Sequence, residues 1–291
     1  MSVDSLRLGG RGGRGRVRGV ALQALLLASL GIGFVTLGAL LVDVFVKGIP
    51  YLDATLLFNP PSASPQEAGA RPAILATIYM MGILLVTVLP IGVGTAIYLE
   101  EYADKSRWYN RLLDLNIQNL AAVPSIVYGI LGLAFLVRGL GLGRVLLAGA
   151  LILTLLVLPI VIVSSREAIR AVPDSIRQGG YALGATQWQV IWRQVLPAAI
   201  PGIATGSILA LARAIGETAP LILVGALTYV AFNPTLMGPF TALPIQIFQY
   251  ISRPQAEFKL IAAAAIIVLL AILLTMNAFA IWLRNRYQRR W

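Results

Sequence analysis

Arg213 and Glu217 are two charged residues inside a long apolar stretch, residues 200–231. They are four positions apart, so in a helix they lie one turn apart on the same face. Counted from Pro201, Arg213 is about 18 Å along the helix at 1.5 Å per residue, which is close to the middle of a bilayer. A charge at that depth costs roughly 2.5–3.5 kcal/mol on insertion scales, so this face must contact protein or water rather than lipid.

The two charges support two interpretations, and the residues alone leave both open. In the first, Arg213 and Glu217 neutralise each other and fix helix packing. Gly202 and Gly206 fall on the same helical face and would add a small-xxx-small packing stripe. In the second, the Arg213 guanidinium donates hydrogen bonds to an oxyanion that crosses the membrane, because its planar fork matches that geometry. Glu217 then tunes the arginine or accepts a hydrogen bond from a protonated oxyanion.

A polar segment, residues 164–199, precedes this apolar stretch and is predicted to have structure of its own. Two short amphipathic helices are expected at residues 175–183 and 187–195, separated by a turn at Gly184. Glycine allows a sharp turn there, or the close approach of another surface. The segment is therefore either a socket for a partner protein or an ordinary interfacial loop. One face of the second helix carries Trp188, Ile191, Trp192 and Val195.

Composition indicates a membrane protein. The chain has 291 residues, of which 58% are hydrophobic and 12% are charged, far from the average of soluble proteins. It contains no cysteine and no histidine, which excludes disulfides, thiolate chemistry and histidine-based metal or acid–base sites. The net charge is +11. In an apolar chain such charge is expected at the membrane edges, so we predict contact with lipid and no nucleic-acid partner.

Six apolar stretches predict six transmembrane helices, with the third interrupted at Pro124 and Ser125. Such an interruption either lines a cavity or is a plain proline kink. If both termini are placed in the cytoplasm, the cytoplasmic segments contain most of the basic residues, as is usual for membrane proteins. We therefore expect both termini, and residues 164–199, to lie inside the cell. The predicted spans are residues 20–46, 73–99, 117–137, 145–163, 200–231 and 260–283.

The predicted organisation has four parts. Residues 1–19 form a cytoplasmic tail rich in glycine and arginine, and residues 20–72 contain the first span and an external loop. Residues 73–283 form the main membrane domain, and residues 284–291 form a second basic cytoplasmic tail.

Several motifs resemble one family of transporters. The stretch ALGATQWQVIWRQVLPAAIPGI resembles the cytoplasmic EAA loop of ABC-importer permeases, with its glycine at Gly184. The acidic residue that begins the family's motif is replaced by Gln178. The stretches ALARAIGETAPLI, IGVGTAIYLEEYA and LAAVPSIVYGILGL resemble PstA-type permeases of bacterial phosphate importers, over roughly residues 73–283. The resemblance implies that the ATPase-coupling residues are Gln178, Gly179, Gly180, Ala182, Gly184, Ala185, Leu196 and Pro197.

The resemblance implies an all-α, six-span permease of the type I (MetI-like) class in the inner membrane. It also implies a second, PstC-like permease, a PstB-like ATPase dimer and an external PstS-like phosphate-binding protein as partners. The chain has no G-x-x-x-x-G-K-[ST] motif and no hydrolase motif, so we expect no enzyme and no bound cofactor, with ATP and Mg on the ATPase.

Two other functions fit parts of the sequence. A proton-coupled anion carrier would explain the buried charged pair but not the polar segment at residues 164–199. A non-transporting membrane scaffold or sensor would explain that segment but not charges in the middle of the membrane.

Overall fold

The computed structural model describes residues 13–104, 106–227 and 229–287, and these contain helices and connecting segments but no strand. The predictions for residues 1–12 and 288–291 lie outside the described residues. The helices of the first half are α1 (Gly13–Gly48), α2 (Ala54–Phe58), α3 (Arg71–Ile97), α4 (Trp108–Ala121), α5 (Ser125–Gly132) and α6 (Leu146–Arg170). Those of the second half are α7 (Asp174–Ala182), α8 (Gln187–Val190), α9 (Leu196–Ile215), α10 (Ala219–Val224), α11 (Leu243–Ile251) and α12 (Ala256–Tyr287).

Wider π-helical turns continue three of these helices. They extend α3 at Tyr98–Tyr102, α5 at Leu133–Gly139 and α8 at Ile191–Val195. The third of these turns joins α8 to α9, so the chain is helical from Gln187 to Ile215. Pro197 lies directly after the turn. Because proline has no N–H to donate and crowds the preceding turn, the wider turn accommodates it without ending the helix.

Five helical segments are long and apolar enough to cross a membrane, and a sixth is formed if α4 and α5 are counted together. This confirms a multi-span helical protein. The third predicted span is not straight, because α4 and α5 meet at a bend of 108°. The bend lies at residues 122–124, as the interruption at Pro124 predicted, and the Tyr128 hydroxyl donates to the Leu120 carbonyl across it at 2.9 Å. The five segments are Gly19–Tyr51, Arg71–Tyr102, Leu146–Arg170, Gln187–Ile215 and Ala256–Arg286.

Helix α6 is the centre of the core and packs against α3 and α9. Small residues allow these helices to approach closely: a Cβ on Gly202 would lie 2.6 Å from the Ala168 Cβ, and one on Gly206 would overlap the Ser164 side chain. The predicted glycine stripe of α9 therefore faces α6. Packing this close holds α9 in a fixed position along α6, because sliding would bring larger side chains into the space that the glycines leave.

Helix α1 contrasts with this core, because most of its length is exposed. Its main contact is with α12, where a Cβ on Gly48 would lie 2.8 Å from the Ala263 carbonyl carbon. Leu25 and Val35, further toward its start, are exposed.

The segments between the first two predicted spans and between the last two, residues 47–72 and 232–259, contain ordered structure in α2 and α11. Tyr250 of α11 is buried and its hydroxyl donates to the Gly69 carbonyl at 2.6 Å. The Leu243 N–H donates to the Thr77 hydroxyl of α3 at 2.9 Å. These contacts fasten α11 to the segment before α3 and to the first turns of α3.

Two predicted boundaries were wrong. Residues 164–199 are not one loop, since α6 continues to Arg170 and the helix that leads into α9 begins at Gln187. The stretch 200–231 is not one helix, since α9 ends at Ile215. Gly216 ends α9, and Pro220 lies in the first turn of α10, where its missing N–H costs no bond. Apolar composition marked these segments as apolar but could not predict where the helices end.

Candidate functional site

Arg213 and Glu217 come together at the break between α9 and α10. Arg213 is in the last turn of α9, and Glu217 lies in the break rather than on the helix, which corrects its predicted position. The Arg213 Nε and the Glu217 Oε1 are 3.6 Å apart, so they form an ion pair. The Arg213 side chain is 42% exposed and that of Glu217 is 18% exposed. Among the residues that the structure describes, Arg213 has no hydrogen-bond partner.

The helix that follows the break, α10, is closely packed at both of its ends. Helix α5 lies against α10, where a Cβ on Gly129 would lie 2.7 Å from the Pro220 Cα. At the far end of α10, Gly225 has φ +103°, a left-handed conformation that glycine adopts readily. A Cβ on Gly225 would lie 2.8 Å from the Arg144 Cγ. The Arg213–Glu217 pair therefore lies at a break in the chain that is followed by a closely packed helix, α10.

Residues 174–195, which we call the hairpin, contain α7, a turn at Gly184, and α8 with its π-helical turn. This confirms the two short helices that the sequence predicts. Gly184 has φ +80° and no atom of another residue near the position of a Cβ. Thr186 begins α8 with a capping box, in which the Thr186 N–H donates to the Gln189 side chain at 2.9 Å.

The second helix of the hairpin has one apolar face turned inward and one turned outward. Ile191 and Val195 are buried. Trp188 and Trp192 are exposed, with their ring centroids 5.1 Å apart. The four residues predicted to share one face therefore divide between the core and a surface that carries two large aromatic rings.

The residues predicted to couple to an ATPase fall in three settings. Gln178, Gly179, Ala182 and Gly184 are exposed on the hairpin. Gly180 is buried, and a Cβ there would lie 2.8 Å from the Val190 Cγ2, so its role is to let α7 meet α8. Ala185 is half-buried in the turn. Leu196 and Pro197 are half-buried in the first turn of α9, beyond the hairpin itself.

Sequence reasoning missed a set of ion pairs at the base of the hairpin. Arg177 of α7 pairs with Glu101, in the π-helical turn after α3, at 2.9 Å. Glu100 accepts from Arg166 of α6 at 3.0 Å and from Arg170 at 2.7 Å. Opposite charges at the ends of apolar spans were the available signal, since YLEEY follows one span and SSREAIR ends another.

Acidic residues outside this base do not suggest a metal site. Across residues 13–104, 106–227 and 229–287, no three His, Cys, Asp or Glu side chains are grouped to bind a metal ion. Asp104, in the connector between α3 and α4, instead accepts from the Ser106 hydroxyl at 2.7 Å and from the Ser106 N–H at 2.9 Å. These two hydrogen bonds lower the pKa of Asp104.

Residues 88–290 match the family of binding-protein-dependent transport system inner membrane components, and the chain belongs to that family. Within it, the chain is 33% identical over 222 residues to phosphate transport system permease protein PstA 1 of Mycobacterium tuberculosis, covering 76% of this chain and 72% of the relative. It is 33% identical over 256 residues to the PstA protein of Yersinia pestis, covering 87% and 85%. The probable ABC transporter permease protein YqgI of Bacillus subtilis is 32% identical over 224 residues, covering 75% and 76%. The predicted resemblance to PstA-type permeases is confirmed.

Solved structures confirm the predicted permease fold. A chain of a bacterial ABC transporter that imports the acidic polysaccharide alginate superposes with a TM-score of 0.64, at 18% identity, covering 94% of this chain and 97% of that chain. An inward-facing MetNI methionine ABC transporter gives a TM-score of 0.56, at 18% identity, covering 75% and 94%.

Proposed function

We propose that this chain is the transmembrane permease subunit of an ATP-driven ABC importer that carries inorganic phosphate into the cell. The observation that supports it most directly is the state of Arg213: a half-exposed guanidinium, without a hydrogen bond in the described part of the chain, at the break between α9 and α10. The relatives named PstA are phosphate transport system permeases, which supports phosphate as the substrate.

The chemistry of Arg213 suits a phosphate ion that passes the break between α9 and α10. Its N–H groups lie in one plane and can donate two parallel hydrogen bonds to two phosphate oxygens. Glu217, 3.6 Å away, accepts a hydrogen bond from a protonated phosphate oxygen and competes for the arginine when phosphate leaves. This competition keeps the affinity low enough for release, which a transport site requires.

The hairpin is the proposed seat of a separate ATPase subunit. It exposes the neighbouring rings of Trp188 and Trp192 and the open backbone at Gly184, and aromatic side chains are enriched at the centres of protein interfaces. Its second helix continues without interruption into α9, which carries Arg213. Movement of a docked partner would therefore reach Arg213 through one continuous helix. A second, PstC-like permease and an external PstS-like protein complete the proposed assembly.

The proposal requires the hairpin and both termini to be cytoplasmic, since ATP is available there. A reporter enzyme inserted near Gly179 is expected to be active on the cytoplasmic side, and one inserted near Ser64 on the external side. An external signal at Gly179 would exclude an ATPase from this surface.

Uptake by the reconstituted four-component complex tests the function itself. Labelled phosphate should accumulate in vesicles only when ATP and the external binding protein are supplied, and excess sulfate should not compete. Uptake that needs a proton gradient but no ATP would instead identify a secondary carrier. An assembled complex that moves neither phosphate nor sulfate would identify a scaffold or sensor.

A further inference from the structure

The base of the hairpin is joined to two membrane helices through one arginine. Arg177 makes five hydrogen bonds, to three different parts of the chain. Its Nε and Nη2 donate to the Glu101 Oε1 after α3, at 3.2 and 2.9 Å. It also donates to the Val172 carbonyl at 2.6 Å and the Ile169 carbonyl at 3.0 Å, at the end of α6. The fifth bond, at 3.2 Å, is to Asp174 in its own helix.

Burial makes this contact costly to break. The Arg177 side chain is 16% exposed and that of Glu101 is 7% exposed. Removing one partner of a buried pair leaves the other charge without compensation and away from water. Lysine could keep the charge but not the planar set of donors that reaches a carboxylate and two carbonyls at once.

The second hairpin helix is fastened to the same point. The Gln187 side-chain amide, at the start of α8, donates to the main-chain carbonyl of Glu101. Both helices of the hairpin therefore contact the single turn that ends α3.

A neighbouring cluster ties that turn to two more helices. Glu100, beside Glu101, pairs with Arg166 and Arg170 of α6, and Arg166 also pairs with Asp114 of α4. The side chains of Glu100 and Arg166 are 5% and 10% exposed. The end of α3, the end of α6, α4 and the hairpin are thus connected by ion pairs, of which Arg166–Glu100 and Arg177–Glu101 are largely buried, and not by apolar contacts alone.

We infer that Arg177 and Glu101 are positioning residues that make the hairpin, α3 and α6 move as one body when an ATPase acts on the hairpin. This rests on the proposed function. Without the pair, the hairpin would keep the Gln187 contact, its apolar packing and its continuation into α9, but α7 would lose its link to α3, and the short connector at residues 171–173 would absorb part of its motion. Coupling would then be lost although the ATPase still binds, because the exposed surface of the hairpin does not include Arg177 or Glu101.

The ratio of phosphate taken up to ATP hydrolysed, measured in the reconstituted complex, tests this inference. In Arg177→Gln and Glu101→Gln the ratio is expected to fall about tenfold, a size typical of coupling between sites, while the ATPase still co-purifies. Arg177→Lys, which keeps the charge and guards against a folding failure, should give a smaller loss. Arg107→Gln is the matched control, because its ion pair with Asp104 is exposed and joins no second helix. An unchanged ratio in Arg177→Gln or, should that variant not assemble, in Arg177→Lys would overturn the inference.

A cross-link in place of the Arg177–Glu101 ion pair is expected to raise the ratio of phosphate taken up to ATP hydrolysed. The chain has no cysteine, so Glu101→Cys with Arg177→Cys introduces two thiols that a short bifunctional reagent can join. Cross-linking should restore the ratio that the double variant loses, since the two parts are expected to move together. A cross-link that blocks uptake would show that the contact must open and would contradict the inference. Absence of ATP-dependent uptake in the unmodified complex would instead contradict the proposed function.

Discussion

Two arginines at the two ends of the α8–α9 helix show opposite hydrogen-bonding states. Arg177, beside its start, is 16% exposed and makes five hydrogen bonds. Arg213, at its end, is 42% exposed and has a single ion-pair contact at 3.6 Å. A guanidinium whose donors are all used holds structure together, whereas one whose donors are open can bind a ligand. The contrast supports the structural role inferred for Arg177 and the substrate role proposed for Arg213.

Replacing Arg213, whose donors are open, should have the largest effect on phosphate uptake. Arg213→Gln is expected to lower phosphate uptake about 100-fold with the complex still assembled, because charge-assisted hydrogen bonds of about 1.5–3 kcal/mol are lost. Arg213→Lys should recover only part of the activity, since an ammonium lacks the planar fork. Uptake of labelled phosphate and gel filtration of the complex are the measurements.

The packing interpretation of the same pair makes the reverse prediction. If Arg213 serves only to neutralise Glu217, Arg213→Gln should prevent assembly, and adding Glu217→Gln should restore it. That result would remove the contrast between the two arginines.

Changing Gly184 at the hairpin turn should cause the next largest loss of phosphate uptake. Gly184→Asp places a charged side chain where the backbone has φ +80° and the surrounding space is open, so the chain should fold while the docking surface is altered. Uptake is expected to fall at least about fivefold, through loss of the ATPase or of its coupling. Co-purification of the ATPase and uptake in the same membranes distinguish the two.

Gly141→Asp is the matched control for that change. Gly141 has φ +67° and open surroundings, but it lies just before α6, at the end opposite to the hairpin. Equal losses in the two variants would attribute the effect to backbone strain and would argue against docking at Gly184.

A smaller effect, on stability rather than on transport, is expected from disturbing the contact between α9 and α6 at Gly206. Gly206→Ala puts a methyl group into the Ser164 side chain of α6 and should destabilise the protein by about 1–3 kcal/mol, the usual cost of overpacking. The unfolding temperature in detergent should fall, while uptake per folded complex changes little. Gly31→Ala, on the exposed part of α1 with open space around it, is the control and should leave that temperature unchanged.

The smallest effect is expected at Gln178. Gln178→Glu restores the acidic residue of the family motif at an exposed position of the hairpin, where substitutions usually alter stability by less than about 0.5 kcal/mol. Uptake and ATPase co-purification should equal those of the unmodified complex. A large loss would mean that the partner surface here is itself acidic.

Local patterns predicted local features of this molecule well. The spacing of Trp188, Ile191 and Val195 predicted the second hairpin helix, and Gly184 predicted its turn, since both depend on neighbouring residues. The end of α9 at Ile215 was missed, because the apolar composition continues past it although Gly216 breaks the helix. The pairs Arg166–Glu100 and Arg177–Glu101 join residues 66 and 76 positions apart, and no local pattern contains that information.

The central claim is that Arg213 is open to phosphate. A cysteine label at a neighbouring residue can test this claim while Arg213 itself is kept. Gly216 is exposed, has ordinary helical φ and meets only the Arg213 carbonyl at 3.9 Å, so Gly216→Cys places the sole thiol of this chain next to the site. In a complex with cysteine-free partners, phosphate should slow the reaction of this thiol with a maleimide, whereas sulfate should not. The added change Arg213→Gln should abolish that protection. Labelling that ignores phosphate, or protection that persists without Arg213, would contradict the account.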